Sequence, residues 1–241
     1  MLRAVTFDLT GTLIHAPRLG EIYSEVLGRH GVEVAPERAA GLMREVWREL
    51  DCLSHPARDR FADHPQGARG WWRRLLDRLC ERLEAPRPSP FAAAELFERF
   101  AGPDAWEIYP EVGEVLAELR RRGFALGLIS NWDERLPRLL DGLGLASLLD
   151  VVVYSQEVGA EKPHQRIFTT MLGRLELPPT RVLHVGDRRR QDVEGARAVG
   201  MRALLLDRRG TGGALADLSE LPSRIGSGQP GPEQSPPALA R

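Results

Sequence analysis

The chain has 241 residues and a mass of 26.8 kDa, enough to bury a sizeable core without disulfide or metal staples. With 42% hydrophobic and 28% charged residues and a formal net charge of -1, it reads as globular. It lacks the basic excess that nucleic acid or an anionic membrane selects. Cys52 and Cys80 are too few for a disulfide framework, the opening MLRAVTFDLTG is unlike a signal peptide, and no run of about 18 apolar residues is present. The expectation is a cytoplasmic protein with no nucleic-acid or membrane partner.

In chain order, the first element is a strand over 4–7, short and apolar, ending at Asp8. Residues 15–106 carry no strand pattern. They read as helices over 22–29, 37–50, 71–83 and 91–100, separated by Gly31, Pro36, Pro56, Pro65, Pro86, Pro88 and Pro90. Beyond them the pattern alternates. A helix over 111–122, with Val112, Val115, Leu116 and Leu119 at helical spacing and Gly123 as its stop, precedes a strand over 124–129. A helix over 134–143, a strand over 151–154, a helix over 166–175, a strand over 182–185, a helix over 193–199 and a strand over 203–206 follow. Apolar strands without strict alternation are covered on both faces, and strand–helix alternation implies a parallel sheet. The Gly-, Pro-, Ser- and Gln-rich residues 226–241 read as a disordered tail. The expected layout is a core of residues 1–14 and 107–225 with an inserted helical module at 15–106.

One feature of composition points to chemistry. Of 33 basic residues only Lys162 is lysine, and Asn131 is the only asparagine. A lysine kept where arginine serves everywhere else suggests a need for a compact ammonium, although one surviving surface lysine is the plainer explanation.

Four local patterns lie at or just beyond the carboxyl ends of the expected strands, where open parallel sheets bind ligands. In Phe7-Asp8-Leu9-Thr10-Gly11-Thr12-Leu13, a carboxylate enters a turn where it can act as a nucleophile, or simply cap the turn. In Ser130-Asn131-Trp132-Asp133, a hydroxyl followed by free N–H groups suits a phosphate oxygen, although capping of the next helix by Ser130 or Asp133 is the commoner fate of such residues. Lys162-Pro163 places a point charge before an expected helix with Pro163 at its first position. In Val185-Gly186-Asp187-Arg188-Arg189-Arg190-Gln191-Asp192, two carboxylates straddle a strand-to-helix turn, and such hard oxygen donors suit Mg²⁺.

Together and in this order, these motifs resemble the haloacid dehalogenase-like hydrolase superfamily over roughly residues 1 to 207. The strings Ser130-Asn131-Trp132-Asp133-Glu134-Arg135-Leu136 and Lys162-Pro163-His164-Gln165-Arg166-Ile167-Phe168, with the Trp71-Trp72 pair, resemble the subgroup of haloacid dehalogenase-like hydrolase domain-containing protein 3. The resemblance implies an α/β fold: a Rossmann-like parallel sheet core with an inserted all-helical cap of the C1 type. It implies an Mg²⁺-dependent phosphohydrolase whose substrate is a small phosphorylated metabolite. Asp8 would form an aspartyl-phosphate, and Asp8, the Thr10 carbonyl, Asp187 and Asp192 would serve the metal. Ser130 and Asn131 would hold phosphate oxygens, and Lys162 would neutralise charge.

The sequence departs from the family at Thr10, where most phosphatases carry a second Asp that protonates the leaving oxygen. General acid–base help is worth about 10²–10⁴ in rate. The departure fits an enzyme that favours good leaving groups, one whose acid or base comes from elsewhere (His15 and His64 are the candidates), or a weak or inactive phosphate- and Mg²⁺-binding protein. A dehalogenase fits less well, because those members resemble one another in carrying Tyr at this position and in needing no metal. The arginines at 69, 73, 74, 78 and 82 read as a solvated helix face ahead of an acidic-substrate patch. The substrate's identity and the oligomeric state are left open.

Overall fold

The computed structural model describes residues 1–53, 57–208, 210 and 212–225; the tail expected at 226–241 lies outside them. Strand β1 (Ala4–Phe7) is followed by a two-residue strand β2 (Ile14–His15), then helices α1 (Leu19–Arg29), α2 (Pro36–Leu53), α3 (Gly67–Arg82) and α4 (Pro90–Arg99). A second short strand, β3 (Glu107–Ile108), leads into α5 (Val112–Arg121) and β4 (Ala125–Ser130). Next come α6 (Leu136–Gly142), β5 (Val151–Tyr154), α7 (Ser155–Val158), α8 (Gln165–Leu175) and β6 (Val182–Gly186). A π-helical turn (Arg189–Glu194), α9 (Gly195–Ala198), β7 (Arg202–Leu205) and α10 (Leu221–Ile225) complete the described chain.

The five long strands form one parallel sheet in the order β5-β4-β1-β6-β7. Successive side chains leave on opposite faces: Val5, Phe7, Leu126 and Leu128 join one apolar cluster with α5 and α6, while Ala4, Ile129, Val153 and Val182 join another with α8. Both faces are therefore buried, which is why the strands read as continuous apolar runs. β1 is central, and the chain builds β4 and β5 on one side of it and β6 and β7 on the other. The carboxyl end of β1 is thus the switch point where such sheets bind ligands, and Asp8 is the next residue.

Residues 15–106 contain the four expected helices, which bury their own cluster around Val26, Val46, Phe61, Trp71, Leu75 and Leu79. The expected absence of strand here needs one correction, at His15 alone among the described residues. Ile14 pairs with Ile108 and His15 with Glu107, an antiparallel ribbon too short to show a periodicity, which ties together the two ends of the helical segment. A second correction concerns Pro163. The helix starts at Gln165, because His164 is extended and its Nδ1 accepts the Arg166 N–H at 3.2 Å, so Pro163 precedes the helix in a cis peptide. A third is the expected helix at 193–199, which is a π-helical turn followed by one α-turn.

The helical segment meets the sheet through two buried polar seams. Trp72 donates its indole N–H to Asp133 at 2.6 Å, and Asp133 also holds the Arg135 guanidinium at 2.8 and 2.6 Å. Arg60 donates Nε to Glu161 at 2.7 Å and Nη2 to Asp51 at 2.7 Å. Trp71 and Trp72 are therefore core and seam anchors. On the arginine face of α3, Arg69 pairs with Glu98, Arg73 with Asp77, and Arg78 and Arg82 with Glu49, so these are surface ion pairs. No helix among the described residues is long and apolar enough to cross a membrane.

Candidate active site

The centre of the site is the ammonium of Lys162, which is only 2% exposed. Its three N–H groups each meet one acceptor: Asp8 Oδ1 at 2.6 Å, Asp192 Oδ1 at 2.7 Å and the Ile129 carbonyl at 2.8 Å. Three bonds diverging from one nitrogen are what an ammonium makes and a planar guanidinium does not. That geometry accounts for the one lysine in an arginine-rich chain.

Asn131 holds the backbone of that lysine. Its Oδ1 accepts the Lys162 N–H at 2.7 Å and its Nδ2 donates to the Lys162 carbonyl at 3.1 Å. A short side chain with a donor and an acceptor side by side is needed to close this pair, and asparagine is that side chain. Both polar atoms of the Asn131 side chain are thus engaged on the Lys162 backbone. The unique lysine and the unique asparagine are one unit.

Asp8 is carried out of β1 with its N–H on the Val185 carbonyl at 2.9 Å. The turn after it folds back on the Leu9 carbonyl, which accepts the N–H groups of Thr12, Leu13 and Ile14. Gly11 sits here at φ +88°, and a Cβ on it would lie 2.5 Å from Asp187 Oδ2, so glycine is required by conformation and by space. Thr12, fully buried, donates its hydroxyl to Asp8 Oδ2 at 3.4 Å. Thr10 is exposed in the same turn. Ser130 ends β4, buried and one residue beyond the Ile129 carbonyl that binds Lys162.

Asp187 follows β6. Its Oδ1 is buried with no hydrogen-bond partner, and burial, reinforced by the charges of Asp8 and Asp192, pushes its carboxyl up to about 7. Asp192 returns to the site from the π-helical turn. Its Oδ1 takes Lys162 and, at 3.4 Å, His184 Nε2; its Oδ2 takes the Arg188 N–H at 2.9 Å. Burial opposes its ionisation, but Lys162 and His184 hold the carboxyl well below the usual range. A Cβ at Gly186 would sit 2.3 Å from Asp192 Cγ, so that glycine makes room for the inward carboxylate. Such one-turn π insertions recur at functional sites because they re-aim a side chain.

The fold thus brings Asp8, Thr10, Ser130, Asn131, Lys162, Asp187 and Asp192 to one sheet edge. Two buried groups escaped the sequence analysis. His184, with Nδ1 3.0 Å from Thr6 Oγ1, backs Asp192, and Thr12 backs Asp8. A histidine inside the apolar run Val182–Gly186 was the available signal for the first. His15 and His64 have other contacts: His15 stacks on Tyr109 with ring centroids 4.5 Å apart, and His64 Nδ1 accepts the Gln66 N–H.

One oxygen from each of Asp8, Asp187 and Asp192 lies within 4.8 Å of the others. One ammonium faces three carboxylates, and Asp187 Oδ1 is buried without a donor. A cluster of hard oxygen donors with an unmatched charge fits a small divalent cation such as Mg²⁺. Asp192 already serves Lys162, His184 and Arg188, so it fits a supporting place behind Asp8 and Asp187.

A family profile described as haloacid dehalogenase-like hydrolase matches residues 2–200. The chain is 34% identical over 212 residues to human haloacid dehalogenase-like hydrolase domain-containing protein 3, covering 85% of this chain and 82% of that protein. It is 35% identical over 224 residues to a phosphoserine phosphatase of Thermus thermophilus, covering 86% and 89% of the two. Among solved structures, a HAD phosphatase from Thermococcus onnurineus superposes with a TM-score of 0.65 at 26% identity, covering 94% of this chain and 99% of that one. With the four motifs gathered at the switch point of a parallel sheet and these likenesses spanning most of its length, the chain belongs to the haloacid dehalogenase-like hydrolase family, as a hydrolase with phosphatase relatives.

Proposed function

We propose that the protein hydrolyses a small phosphorylated metabolite through a covalent phosphoryl-Asp8 intermediate, in an Mg²⁺-dependent reaction. The observation that carries this reading is the Lys162 ammonium, bonded to Asp8 and Asp192 beside the unpartnered oxygen of Asp187. An Asp8 oxygen attacks phosphorus, the bond from phosphorus to the leaving oxygen breaks, and its electron pair goes to that oxygen. Water then attacks the phosphoryl group, and the bond from phosphorus to the Asp8 oxygen breaks with its electron pair returning to the carboxylate. Inorganic phosphate leaves, with the water's protons passing to it and to solvent. Lys162 fixes the attacking carboxylate and offsets charge on the phosphoryl oxygens, which is where most of the catalysis of phosphoryl transfer lies. Ser130 offers a hydroxyl to a phosphoryl oxygen, and Asn131 keeps Lys162 in place. Asp8, Asp187 and the Thr10 carbonyl would hold Mg²⁺, with Asp192 behind them. The ion, when bound, supplies further neutralisation of phosphate charge.

The helical segment at 15–106 acts as a cap. The support is its tied ends and its two seams, which land on Asp133 and Glu161, close in sequence to Asn131 and Lys162. Thr10 supplies no effective acid at neutral pH, so acyl and aryl phosphates are the preferred substrates. A dehalogenase would use the same Asp8 on carbon but leaves the Asp187 oxygen nothing to hold. The test is hydrolysis of acetyl phosphate and an aryl phosphate with Mg²⁺ or with chelator, for wild type and Asp8→Asn. Turnover that requires both metal and Asp8 is expected. Turnover surviving Asp8→Asn, or none on a broad phosphate panel with Mg²⁺ still bound, contradicts the reading.

A further inference from the structure

The proposed reaction leaves open what the phosphate is attached to, and the cavity beside the site bears on that. It has a volume of about 190 Å³, and seven of its eight lining residues are polar or charged, with Pro163 the exception. That volume is below the roughly 300–1,000 Å³ of sites for drug-sized molecules, and such a lining does not recognise an apolar body. Two of its cations are already matched: Lys162 by Asp8 and Asp192, and Arg60 by Glu161 and Asp51. The remaining two, Arg188 and Arg190, are exposed and make no salt bridge among the described residues, although the charge of Arg188 also acts on Asp187. Arg188 is tied to the site itself, since its backbone N–H donates to Asp192. Two unmatched guanidinium forks lining one polar cavity, next to a site that takes a phosphate, match a second anion.

We propose that Arg188 and Arg190 read a second anionic group, a carboxylate or another phosphate, on the leaving part of a short substrate. This rests on the phosphohydrolase reading and narrows its substrate class. Arg189 provides the control: it stands between the two, is exposed and carries the same charge, but does not line the cavity.

The test compares phosphoglycerate, propanediol bisphosphate and glycerol phosphate, whose leaving part is uncharged. Hydrolysis is measured in wild type, Arg188→Gln, Arg190→Gln and Arg189→Gln, and binding by calorimetry in the same proteins. Wild type is expected to favour at least one doubly anionic substrate over glycerol phosphate by ~10-fold or more in kcat/KM, the scale of one charge-assisted contact. Arg188→Gln and Arg190→Gln should remove most of that preference through KM, and Arg189→Gln should keep it. Which doubly anionic compound is preferred separates a carboxylate from a second phosphate. No preference in wild type overturns the proposal. So does an equal loss with Arg189→Gln, which would mean net charge alone, or a fall confined to kcat on all substrates alike. Absence of any hydrolysis of these three alkyl phosphates would follow from Thr10 if acetyl phosphate is still turned over, and would defeat the phosphohydrolase reading only if acetyl phosphate fails as well. The calorimetry would then still decide the matter, because binding preference for the doubly anionic compounds must depend on Arg188 and Arg190 and not on Arg189.

Discussion

Lys162 and Asn131 show how much two side chains can specify. Lys162 uses all three ammonium donors on Asp8, Asp192 and Ile129, and Asn131 clamps its backbone. Lys162→Arg keeps the charge but spreads it over a planar fork too large for the same three acceptors. The expected outcome is a folded protein with kcat on acetyl phosphate lowered about 10²–10³-fold, the scale of removing one preorganised donor. Activity near wild type would mean that only charge matters at this position. Thr10 carries an opposite expectation. Thr10→Asp supplies an acid for the leaving group and a base for the attacking water, so alkyl-phosphate hydrolysis should rise by up to about 10²–10⁴, and acetyl phosphate, whose leaving group needs no acid, should rise less. An unchanged alkyl-to-acetyl ratio would show that protonation of the leaving group is not what limits the enzyme. Asp8 and Asp187 were legible in the sequence because each follows a strand in a spaced motif, and Lys162 because it is the one lysine of the chain. The direction in which Asn131 points was not, since an amide at a strand end can face a ligand or a neighbouring backbone equally well. His184 and Thr12 were not legible as support because their partners, Asp192 and Asp8, meet them only through the fold.

At the scale of elements, the apolar strands and the spaced leucines of α5 and α6 were readable because burial on both sheet faces leaves a strong pattern. The β2–β3 ribbon and the π-helical turn were not, since two residues show no period and a π insertion breaks the helical one. The seam between Arg60 and Glu161 was also hidden, because it joins residues about a hundred positions apart. Arg60 and Glu161 have side chains only 5% and 3% exposed. Arg60→Met leaves Glu161 buried and unpaired, with an expected loss of about 3–5 kcal/mol in denaturant unfolding. The joint change Arg60→Met with Glu161→Gln should cost clearly less than the sum of the single changes, since it removes both charges. Additive losses would show that the pair is not coupled. Because Glu161 adjoins Lys162, Arg60→Met should also lower kcat more than it raises KM.

For the whole molecule, one principle connects the parts. A parallel sheet gathers charged residues from four distant segments at its switch point, and a helical segment with its own core leans on the two loops that carry them. In the proposed reaction this edge makes Asp8 a covalent carrier of phosphoryl groups. With Thr10 in place of an acid–base residue, water is poorly activated, so the phosphorylated enzyme should persist long enough to trap. The direct measurement is acid quenching of the protein after mixing with acetyl phosphate and Mg²⁺, then peptide mapping by mass spectrometry. One phosphoryl group is expected on the peptide containing Asp8, absent from Asp8→Asn and absent with chelator. A phosphoryl group on another residue, or turnover with no trapped label on Asp8 at any quench time, would contradict it.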